Sequence, residues 1–429
     1  MTRSVLFVSS LILLLAACGD NNNESTVVEL YPELSAASDL DPSSVSVGVG
    51  VLSGEAVAFS ANNPSRYKQV SEKLEGAMMH VQLYDELVQS FGEYTYYQAP
   101  AGTNGKAPNE YMNNLALGFA DARAASLDAE IDAANAAAGG AGFAKRSVVL
   151  DILRLSDQWH VRWDGSIGAN DQGKGNYGLS TSGMYNAALQ RAVNIATATQ
   201  PEYMILGSDM ELLLATDDGD GLSLGEFANF QLFYAEAARK VREASPQTKV
   251  GAGINWDRFA TRVALSYANK TDPNDLTDAE MDYAFRVALL PLIKASDVVA
   301  LKSYRAPGEA SYYAFLRRLP SLYDVTAPVV FYSIGSPLEG GTSVATQTNY
   351  ISDFLSWNAG VNVEAMFWRR LVNSDGTASA NQEITGRCKA LTDNPSRSFG
   401  LPVSTCFDGL YDALFEPTGT GNAYLNLAP

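Results

Sequence analysis

The stretch 203-YMILGSDMELLL-214 decides the fold class and raises the question of function. Its apolar run, Tyr203–Leu206, lacks polar alternation, which is typical of a parallel strand covered on both faces of its sheet. Gly207 ends the run, and two carboxylates, Asp209 and Glu211, follow two positions apart. Because ligands bind at the carboxyl ends of parallel strands, this pattern is typical of the mouth of an α/β binding site.

Similar apolar runs recur along the chain and alternate with helical patterns. The other strand-like runs are 45–51, 94–98, 147–155, 249–254, 297–303, 328–333 and 361–368. The helical patterns lie at 65–90, 109–138, 182–198, 224–244, 278–294, 311–323 and 347–359. Eight β/α alternations predict an α/β fold, a (β/α)8 TIM barrel over residues 45–429. A doubly wound open sheet is the alternative, weakened because the glycines of 47–54 lie inside a strand and do not open a helix.

The first residues have the pattern of a lipoprotein export signal. The apolar run 5-VLFVSSLILLL-15 is shorter than the roughly 20 residues that a membrane-spanning helix needs. Small residues then precede Cys18. We therefore expect a signal peptide at 1–17, an acylated Cys18 that attaches the chain to the lipid bilayer, and a flexible tether over 18–44. The expected location is the bacterial cell envelope, either periplasmic or surface-exposed. An ordinary signal peptide with an incidental cysteine is the alternative.

Composition narrows the partners and the chemistry. With 48 acidic and 30 basic residues the chain has a formal charge of −18, so we expect no binding to nucleic acid, and we expect a monomer. Two histidines and three cysteines predict no zinc site and leave little room for a Ser-His or Cys-His nucleophile system. We expect no cofactor, and any catalysis is expected to use carboxylates.

Two further signals concern cysteines and calcium. In an oxidising compartment Cys388 and Cys406 are expected to form a disulfide, with two buried thiols as the alternative. The segment 217-DDGDGLSLGEF-227 resembles a calcium-binding loop, but Glu226 comes one residue too early for that motif. A solvated acidic turn without a metal is the expected structure there.

Aromatic and acidic side chains follow several of the predicted strands. Flat rings stack on the apolar faces of pyranosides, and carboxylates bond to hydroxyls or transfer protons, so this set predicts a carbohydrate site. Packing at the rim of the barrel is the alternative for each aromatic residue. The catalytic candidates are Asp209 and Glu211, and the substrate-binding candidates are Asp157, Trp159, Trp256, Asp257, Tyr304, Ser333 and Trp368.

Several segments resemble the clan A glycoside hydrolases, retaining (β/α)8 enzymes that include endo-galactanases. Residues 154–164 are similar to a galactanase loop that reads roughly H-Y-S-D-x-W, and 202–214 to the fourth-strand segment G-N-E-x-N. The segment 327-APVVFYSIGSP-337 is similar to the seventh strand, K-P-x-x-I-T-E-x-G-W-P, and Trp368 falls at the end of the eighth. The resemblance covers nearly the whole predicted barrel, and it implies an oligo- or polysaccharide ligand.

The catalytic positions depart from this pattern. A retaining glycosidase needs two carboxyl groups about 5–5.5 Å apart, one as acid/base and one as nucleophile. The resemblance places Asp209 at the acid/base position, Glu211 at the following asparagine and Ser333 at the nucleophile position. A serine without a histidine in reach is not activated as a nucleophile. The sequence thus predicts degenerate catalytic positions.

Three functions stay open at this point. The first is a carbohydrate-binding barrel that has lost retaining hydrolysis. The second is an active hydrolase with relocated carboxylates, for example Glu339. The third is a structural or protein-binding lipoprotein, since a barrel alone implies no function. An open groove lined by aromatic residues favours the first two. A basic cleft formed by Arg305, Arg369 and Arg370 is a further hypothesis, which would admit acidic sugars.

Overall fold

The computed structural model describes most of the region that the sequence predicts to form a barrel. The residues it describes are 34–51, 55–74, 78–83, 129–140, 145–150, 182–214, 224–272, 275–304, 311–335, 344–372, 409–411 and 418–427. The predicted signal peptide and acylation site lie outside these ranges, as does most of the predicted tether. The two cysteines of the predicted disulfide and residues 217–223 of the calcium-like loop also lie outside them.

In the described part of the chain, nine strands form one parallel sheet and two short strands form a separate parallel pair. The nine are β1 (Ser46–Val51), β2 (Met78–Leu83), β3 (Lys145–Leu150), β4 (Tyr203–Leu206), β5 (Lys249–Ala252), β6 (Ile254–Asn255), β7 (Val299–Ser303), β8 (Val329–Ile334) and β9 (Val363–Trp368). The pair is β10 (Arg370–Val372) with β11 (Gly409–Tyr411).

The order of the nine strands is β5-β4-β3-β2-β1-β9-β8-β7-β6. Its two ends, β5 and β6, are consecutive pieces of the chain on either side of Gly253. The predicted α/β class with a parallel sheet is therefore confirmed. The hydrogen-bonded ladders themselves do not close into a ring, because no ladder joins β5 to β6.

Helices separate most successive strands along the chain. They are α1 (Glu55–Asn62), α2 (Pro64–Lys73), α3 (129–137), α4 (Ser182–Thr199), α5 (Leu224–Ala244), α6 (Trp256–Arg258), α7 (Leu265–Ala268), α8 (Asp278–Ala288), α9 (Leu290–Lys294), α10 (Leu319–Tyr323), α11 (Val344–Trp357) and α12 (Gly419–Leu425). The segment Phe259–Ala264 is π-helical, and Pro42–Ser44, Met210–Leu214 and Ser311–Arg318 are 3-10 helices. Within the described ranges no helix is both long and apolar enough to cross a membrane.

Two apolar layers lie on opposite faces of the sheet. Successive side chains of a strand point to opposite faces, so alternate residues enter different layers. The inner layer contains only residues at the sheet: Val149, Tyr203, Ile205, Val298, Ala300, Val330, Tyr332, Ala365 and Phe367. Their strand neighbours, such as Met204 and Met366, join the larger outer layer with the helices. Both faces are thus covered, which accounts for the continuous apolar runs.

One part of the predicted secondary structure is wrong. The sequence pattern predicted a helix over 65–90, whereas α2 ends at Lys73 and Met78–Leu83 forms β2, paired with β1 and β3. Gly76 is a signal for the end of a helix, but apolar residues with helical spacing continue beyond it, and that longer pattern predicted the wrong element. The predicted second strand, 94–98, lies outside the described residues.

Candidate functional site

A tight turn after β4 carries the two candidate carboxylates to the carboxyl ends of the strands. Gly207 has φ +85°, and Asp209 has φ +58°, a left-handed conformation that aspartate tolerates better than most side chains. A Cβ built on Gly253 would overlap the carbonyl oxygen of Gly207, so only glycine fits between β5 and β6 at this turn. Met210 donates its backbone N–H to the Gly253 carbonyl at 3.2 Å.

Two cations meet these carboxylates. Arg258 Nη1 donates to Asp209 Oδ1 at 3.3 Å and to Glu211 Oε1 at 3.1 Å. Lys302 Nζ, from β7, lies 2.7 Å from Asp209 Oδ2. All four residues are buried, and Glu211 has no exposed surface. We call Asp209, Glu211, Arg258 and Lys302 the charge cluster.

Asn255 fixes the geometry of the charge cluster. Its backbone N–H donates to Glu211 Oε2 at 2.9 Å, and its side-chain amide donates to Asp209 Oδ1 at 3.2 Å. Its side-chain oxygen accepts from the backbone N–H of Arg258 at 3.0 Å, which caps α6. Asn255 thereby binds both carboxylates and the helix that carries Arg258. Buried charges that are paired and hydrogen-bonded in this way are held firmly, because releasing one leaves the other uncompensated.

Burial sets the protonation of the charge cluster. It raises the pKa of Glu211 to about 7; Arg258 opposes this shift, and the Asp209 carboxylate reinforces it. Burial also opposes the charged form of Arg258, but the neighbouring carboxylates Asp209 and Glu211 raise its pKa above the usual value. Glu211 is therefore partly protonated at neutral pH, while Arg258 stays charged.

Ser333, at the end of β8, is hydrogen-bonded to the hydroxyl of Tyr304. Tyr304 is partly exposed, and two cations lie near its ring. Lys302 Nζ lies 5.4 Å from the ring centroid and the Arg369 guanidinium carbon lies 5.2 Å from it. These distances are within the range of cation–π attraction. An aromatic face with hydroxyl groups and cations therefore occupies the place where the resemblance expects the nucleophile.

Asp257 lies at the opposite, backbone end of Tyr304. Its Oδ2 accepts from the Tyr304 backbone N–H at 2.6 Å, and its Oδ1 accepts from the hydroxyls of Tyr312 and Tyr313 at 2.9 and 2.8 Å. The carboxylate is partly exposed and ties the end of β7 to the 3-10 helix Ser311–Arg318. Its described bonds are those of an organising residue for this loop.

Trp256 and Trp368 are wholly buried in the outer layer. The Trp256 ring stacks on Phe259 and Phe315, with centroids 5.5 and 6.3 Å apart. Trp368 packs against Tyr424. Because Phe367 faces the inner layer, strand alternation turns Trp368 to the helices. These two rings therefore line no open groove here, contrary to the expectation from the sequence.

The remaining candidates divide into two groups. Arg370 is buried and pairs with Glu55 at 3.5 Å, so its charge is already compensated, contrary to the expectation that it makes a cleft basic. The others lie outside the described residues: Asp157, Trp159, Arg305, Glu339, Cys18, Cys388 and Cys406. The described stretches contain no group of three potential metal-ligating side chains.

Sequence reasoning missed three residues of this site: Asn255, Arg258 and Lys302. Lys302 had a usable signal, since it is the one charged residue of the strand sequence 299-VALKS-303. A lysine inside a buried strand needs an acidic partner, and Asp209 was available. Arg258 gave no comparable signal, because charged residues are ordinary at the start of a helix.

Comparisons with known proteins show the fold alone. The chain is similar to GH5_18 from Bifidobacterium longum subsp. longum ATCC 55813, with TM-score 0.50, 12% identity, 90% of this chain and 79% of that chain covered. A variant of that protein in complex with Manb1-4GlcNAc gives TM-score 0.49, 12% identity and coverage of 90% and 78%. For GH5_18 from Streptomyces cattleya in complex with GlcNAc the TM-score is 0.49 and the identity 12%, with 90% of this chain and 79% of that chain covered. No protein-family model and no curated protein matches the chain.

The first of these structures supports an α/β fold with a parallel sheet, as in glycoside hydrolases with a TIM barrel. At 12% identity the likeness does not extend to individual residues. The finer likeness to endo-galactanases and the degenerate catalytic positions therefore stay predictions.

The raised pKa of Glu211 predicts a pH-dependent effect of Glu211→Gln. Because the native state holds this proton up to about pH 7, and the ordinary glutamate value is 4.5, the wild type loses free energy of unfolding as pH rises between these values. Glutamine mimics the protonated form and lacks this loss. The free energy of unfolding of the variant, relative to that of the wild type, is expected to rise by about 3 kcal/mol between pH 4.5 and pH 8.

Urea unfolding across this pH range measures the difference. Glu243→Gln is the matched control, since Glu243 is exposed on α5 and pairs with Arg239. A stability difference between Glu211→Gln and wild type that stays constant with pH would contradict the assignment.

Proposed function

We propose that this protein is a carbohydrate-binding barrel of the glycoside hydrolase type that does not hydrolyse by the retaining mechanism. One observation carries the proposal. A single nitrogen, Arg258 Nη1, lies within 3.3 Å of both candidate carboxylates, Asp209 and Glu211. In a retaining enzyme the scissile bond lies between the two carboxyl groups. Here the position that the resemblance gives to the second carboxyl group is Ser333, and Arg258 engages the two carboxylates that are present.

The nucleophile position supports the same conclusion. Ser333 offers a hydroxyl that is hydrogen-bonded to Tyr304, and it is not the carboxylate that a double displacement needs. A serine or tyrosine hydroxyl does not form the glycosyl ester that a carboxylate nucleophile forms. Asp209 and Glu211 both come from the turn after β4, so they approach a ligand from the same side. A double displacement needs carboxyl groups on opposite sides of the sugar ring.

Releasing Asp209 from its two cations would also cost free energy. Asp209 would have to leave Lys302 and Arg258 to reach a glycosidic oxygen. Breaking one side of a buried ion pair costs roughly 3–5 kcal/mol, and each 1.4 kcal/mol corresponds to a factor of ten in rate. A conformation competent for catalysis would therefore be rare, whereas binding at the mouth requires no such change.

Closure of the barrel is part of the proposal. The segment Lys249–Asn255 pairs with β4 through β5 and with β7 through β6, and the Asp297 N–H also donates to Val250 O at 2.8 Å. One interrupted strand with partners on both sides is what an eight-stranded ring requires. Among the described residues the inner layer contains none from a helix, which is the composition of a barrel interior.

Tyr304 is the described residue best placed for contact with a sugar. It is partly exposed at the end of β7, and its hydroxyl and ring lie beside Ser333 and Arg369. Aromatic faces with adjacent polar groups suit pyranosides. Trp159, outside the described ranges, is proposed as a second contact.

A second candidate is an active hydrolase that uses Glu211 as proton donor. The observation in its favour is the pKa of about 7, which is ordinary for a general acid. The third reading, a protein-binding scaffold, is favoured by the burial of Trp256 and Trp368. A protein-binding scaffold leaves the charge cluster intact, whereas a hydrolase would require the buried Glu211 to leave Arg258.

We also propose lipid attachment at Cys18, on the sequence pattern alone. Metabolic labelling with palmitate is expected to mark the wild type in a bacterial host and to be absent from Cys18→Ser. Equal labelling of both, or none of the wild type, would contradict the attachment.

The proposed function is tested with a panel of neutral β-galactan, β-glucan and β-mannan oligosaccharides. We expect binding by titration calorimetry and no release of reducing ends above the blank, with a retaining glycosidase as positive control. Tyr304→Ala is expected to weaken binding roughly tenfold, since a buried aromatic contact contributes about 1 kcal/mol or more. Tyr267→Ala, on the exposed surface of α7, is the matched control.

Release of reducing ends that disappears in Asp209→Asn with Glu211→Gln would contradict the proposal and establish the second candidate. Absence of binding across the panel would favour the third.

A further inference from the structure

The carboxylate of Asp257 accepts three hydrogen bonds that come from two separate pieces of the mouth. Its Oδ2 accepts the backbone N–H of Tyr304 at 2.6 Å, directly after β7. Its Oδ1 accepts the hydroxyls of Tyr312 and Tyr313 at 2.9 and 2.8 Å, from the 3-10 helix Ser311–Arg318. One carboxylate therefore holds both the residue proposed to contact a sugar and the helix that follows it along the chain.

The directions of the neighbouring hydrogen bonds follow from the number of protons. An ionised carboxylate only accepts, so the one proton of the Tyr313 hydroxyl is donated to Asp257, and the Ser303 hydroxyl donates to Tyr313. Burial, followed by the charge of Asp257, raises the pKa of Tyr313 well above its ordinary value, so this phenol keeps its proton at neutral pH. Tyr350 donates to the Ser303 carbonyl oxygen at 3.1 Å. The end of β7 is thus held at two successive residues, Ser303 and Tyr304.

The short helix α6 anchors Asp257 through the residues on either side of it. Trp256, which precedes it, is wholly buried in the outer layer. Arg258, which follows it, pairs with both carboxylates of the charge cluster. Two firmly held neighbours leave the backbone of Asp257 little freedom, and a residue that positions another needs such support. Consecutive residues of α6 therefore connect the charge cluster to the backbone of Tyr304.

The bond from Asp257 to Tyr304 acts on the backbone of this tyrosine and leaves its hydroxyl to other contacts. That hydroxyl lies at the opposite end of the residue, where it is hydrogen-bonded to Ser333. A change in the backbone at Tyr304 would displace the ring at the mouth. Side chains that bind a ligand have to be held within about 0.5 Å of their productive position, so such a displacement weakens binding without removing any contacting group.

We propose that Asp257 is a positioning residue, which fixes the Tyr304 ring for contact with a sugar by accepting the backbone N–H of Tyr304. The hydroxyls of Tyr312 and Tyr313 hold the carboxylate in the orientation that this bond requires. The inference rests on the proposed carbohydrate-binding function and concerns the same site. It differs from the expectation from the sequence, in which Asp257 binds the substrate itself.

Titration calorimetry on the full-length protein tests the inference. The probes are galactotetraose, cellotetraose and mannotetraose, and the variants are compared with the one that the wild type binds most tightly. Asp257→Ala removes the acceptor and is expected to weaken binding about fivefold, the order found for residues coupled by direct contact. Asp257→Asn keeps an oxygen for the Tyr304 N–H and offers an amide to the two hydroxyls, so we expect it to bind within about twofold of the wild type.

A double-mutant cycle shows whether Asp257 acts through Tyr304. In the Tyr304→Ala background, Asp257→Ala is expected to weaken binding by less than about twofold further, because the ring that it positions is absent. Asp282→Ala is the matched control. Asp282, on α8, also accepts a tyrosine hydroxyl, that of Tyr323, and pairs with Arg286. This control is expected to keep the wild-type affinity.

A second variant tests the inference if Asp257→Ala does not fold. Tyr312→Phe combined with Tyr313→Phe removes the two hydroxyls that hold the carboxylate and keeps both rings in place. We expect it to weaken binding about threefold or more in the wild-type background and to have little effect beside Tyr304→Ala. Unchanged affinity in this variant would overturn the inference.

The outcomes separate the positioning role from the proposed function. Unchanged affinity in Asp257→Ala, or an equal loss with and without the Tyr304 ring, overturns the positioning role and leaves carbohydrate binding intact. An equal loss in Asp257→Asn and Asp257→Ala would assign the carboxylate to direct contact with the sugar and would also overturn it. Failure of the wild type to bind any of the three tetrasaccharides overturns both.

Discussion

The position of Arg258 between Asp209 and Glu211 is the constraint on which the rest of the site depends. Two carboxylates on one short turn repel each other, and burial raises the cost of their charges. Arg258 offsets that repulsion with bonds of 3.3 and 3.1 Å, and Lys302 adds a second cation at 2.7 Å from Asp209. The same pairing that stabilises the turn engages both carboxylates, so neither is free to contact a glycosidic bond.

The fold brings the charge cluster together from the turn after β4, the helix α6 and the strand β7. The close approach of Gly207 and Gly253 sets the turn after β4 against the start of α6, where Asn255 caps the helix. Strand alternation then directs Lys302 to the same layer as Tyr332, and Lys302 Nζ lies 5.9 Å from that ring. The cluster covers the carboxyl end of the inner layer, and Tyr304, at its edge, is partly open to solvent.

The sequence predicts the α/β fold class and the position of Asp209 and Glu211 after a buried strand. It does not predict that cations pair with both carboxylates. The apolar run before Gly207 predicted the buried strand, and Asp209 and Glu211 lie at its carboxyl end as expected. Their salt-bridge partners lie 47 or more positions away in sequence, so local patterns do not reveal them. Trp368 shows the same limit, since a shift of one position along a strand decides whether a ring faces a ligand or the helices.

A crystal structure of the protein with a bound oligosaccharide tests the central claim most directly. The account predicts that Arg258 still contacts both Asp209 and Glu211, that Lys302 still contacts Asp209, and that the sugar lies against Tyr304. A structure in which one of these carboxylates has left its cations, with its oxygen in hydrogen-bond contact with the glycosidic oxygen and a second carboxyl group about 5.5 Å away across the sugar, would contradict it.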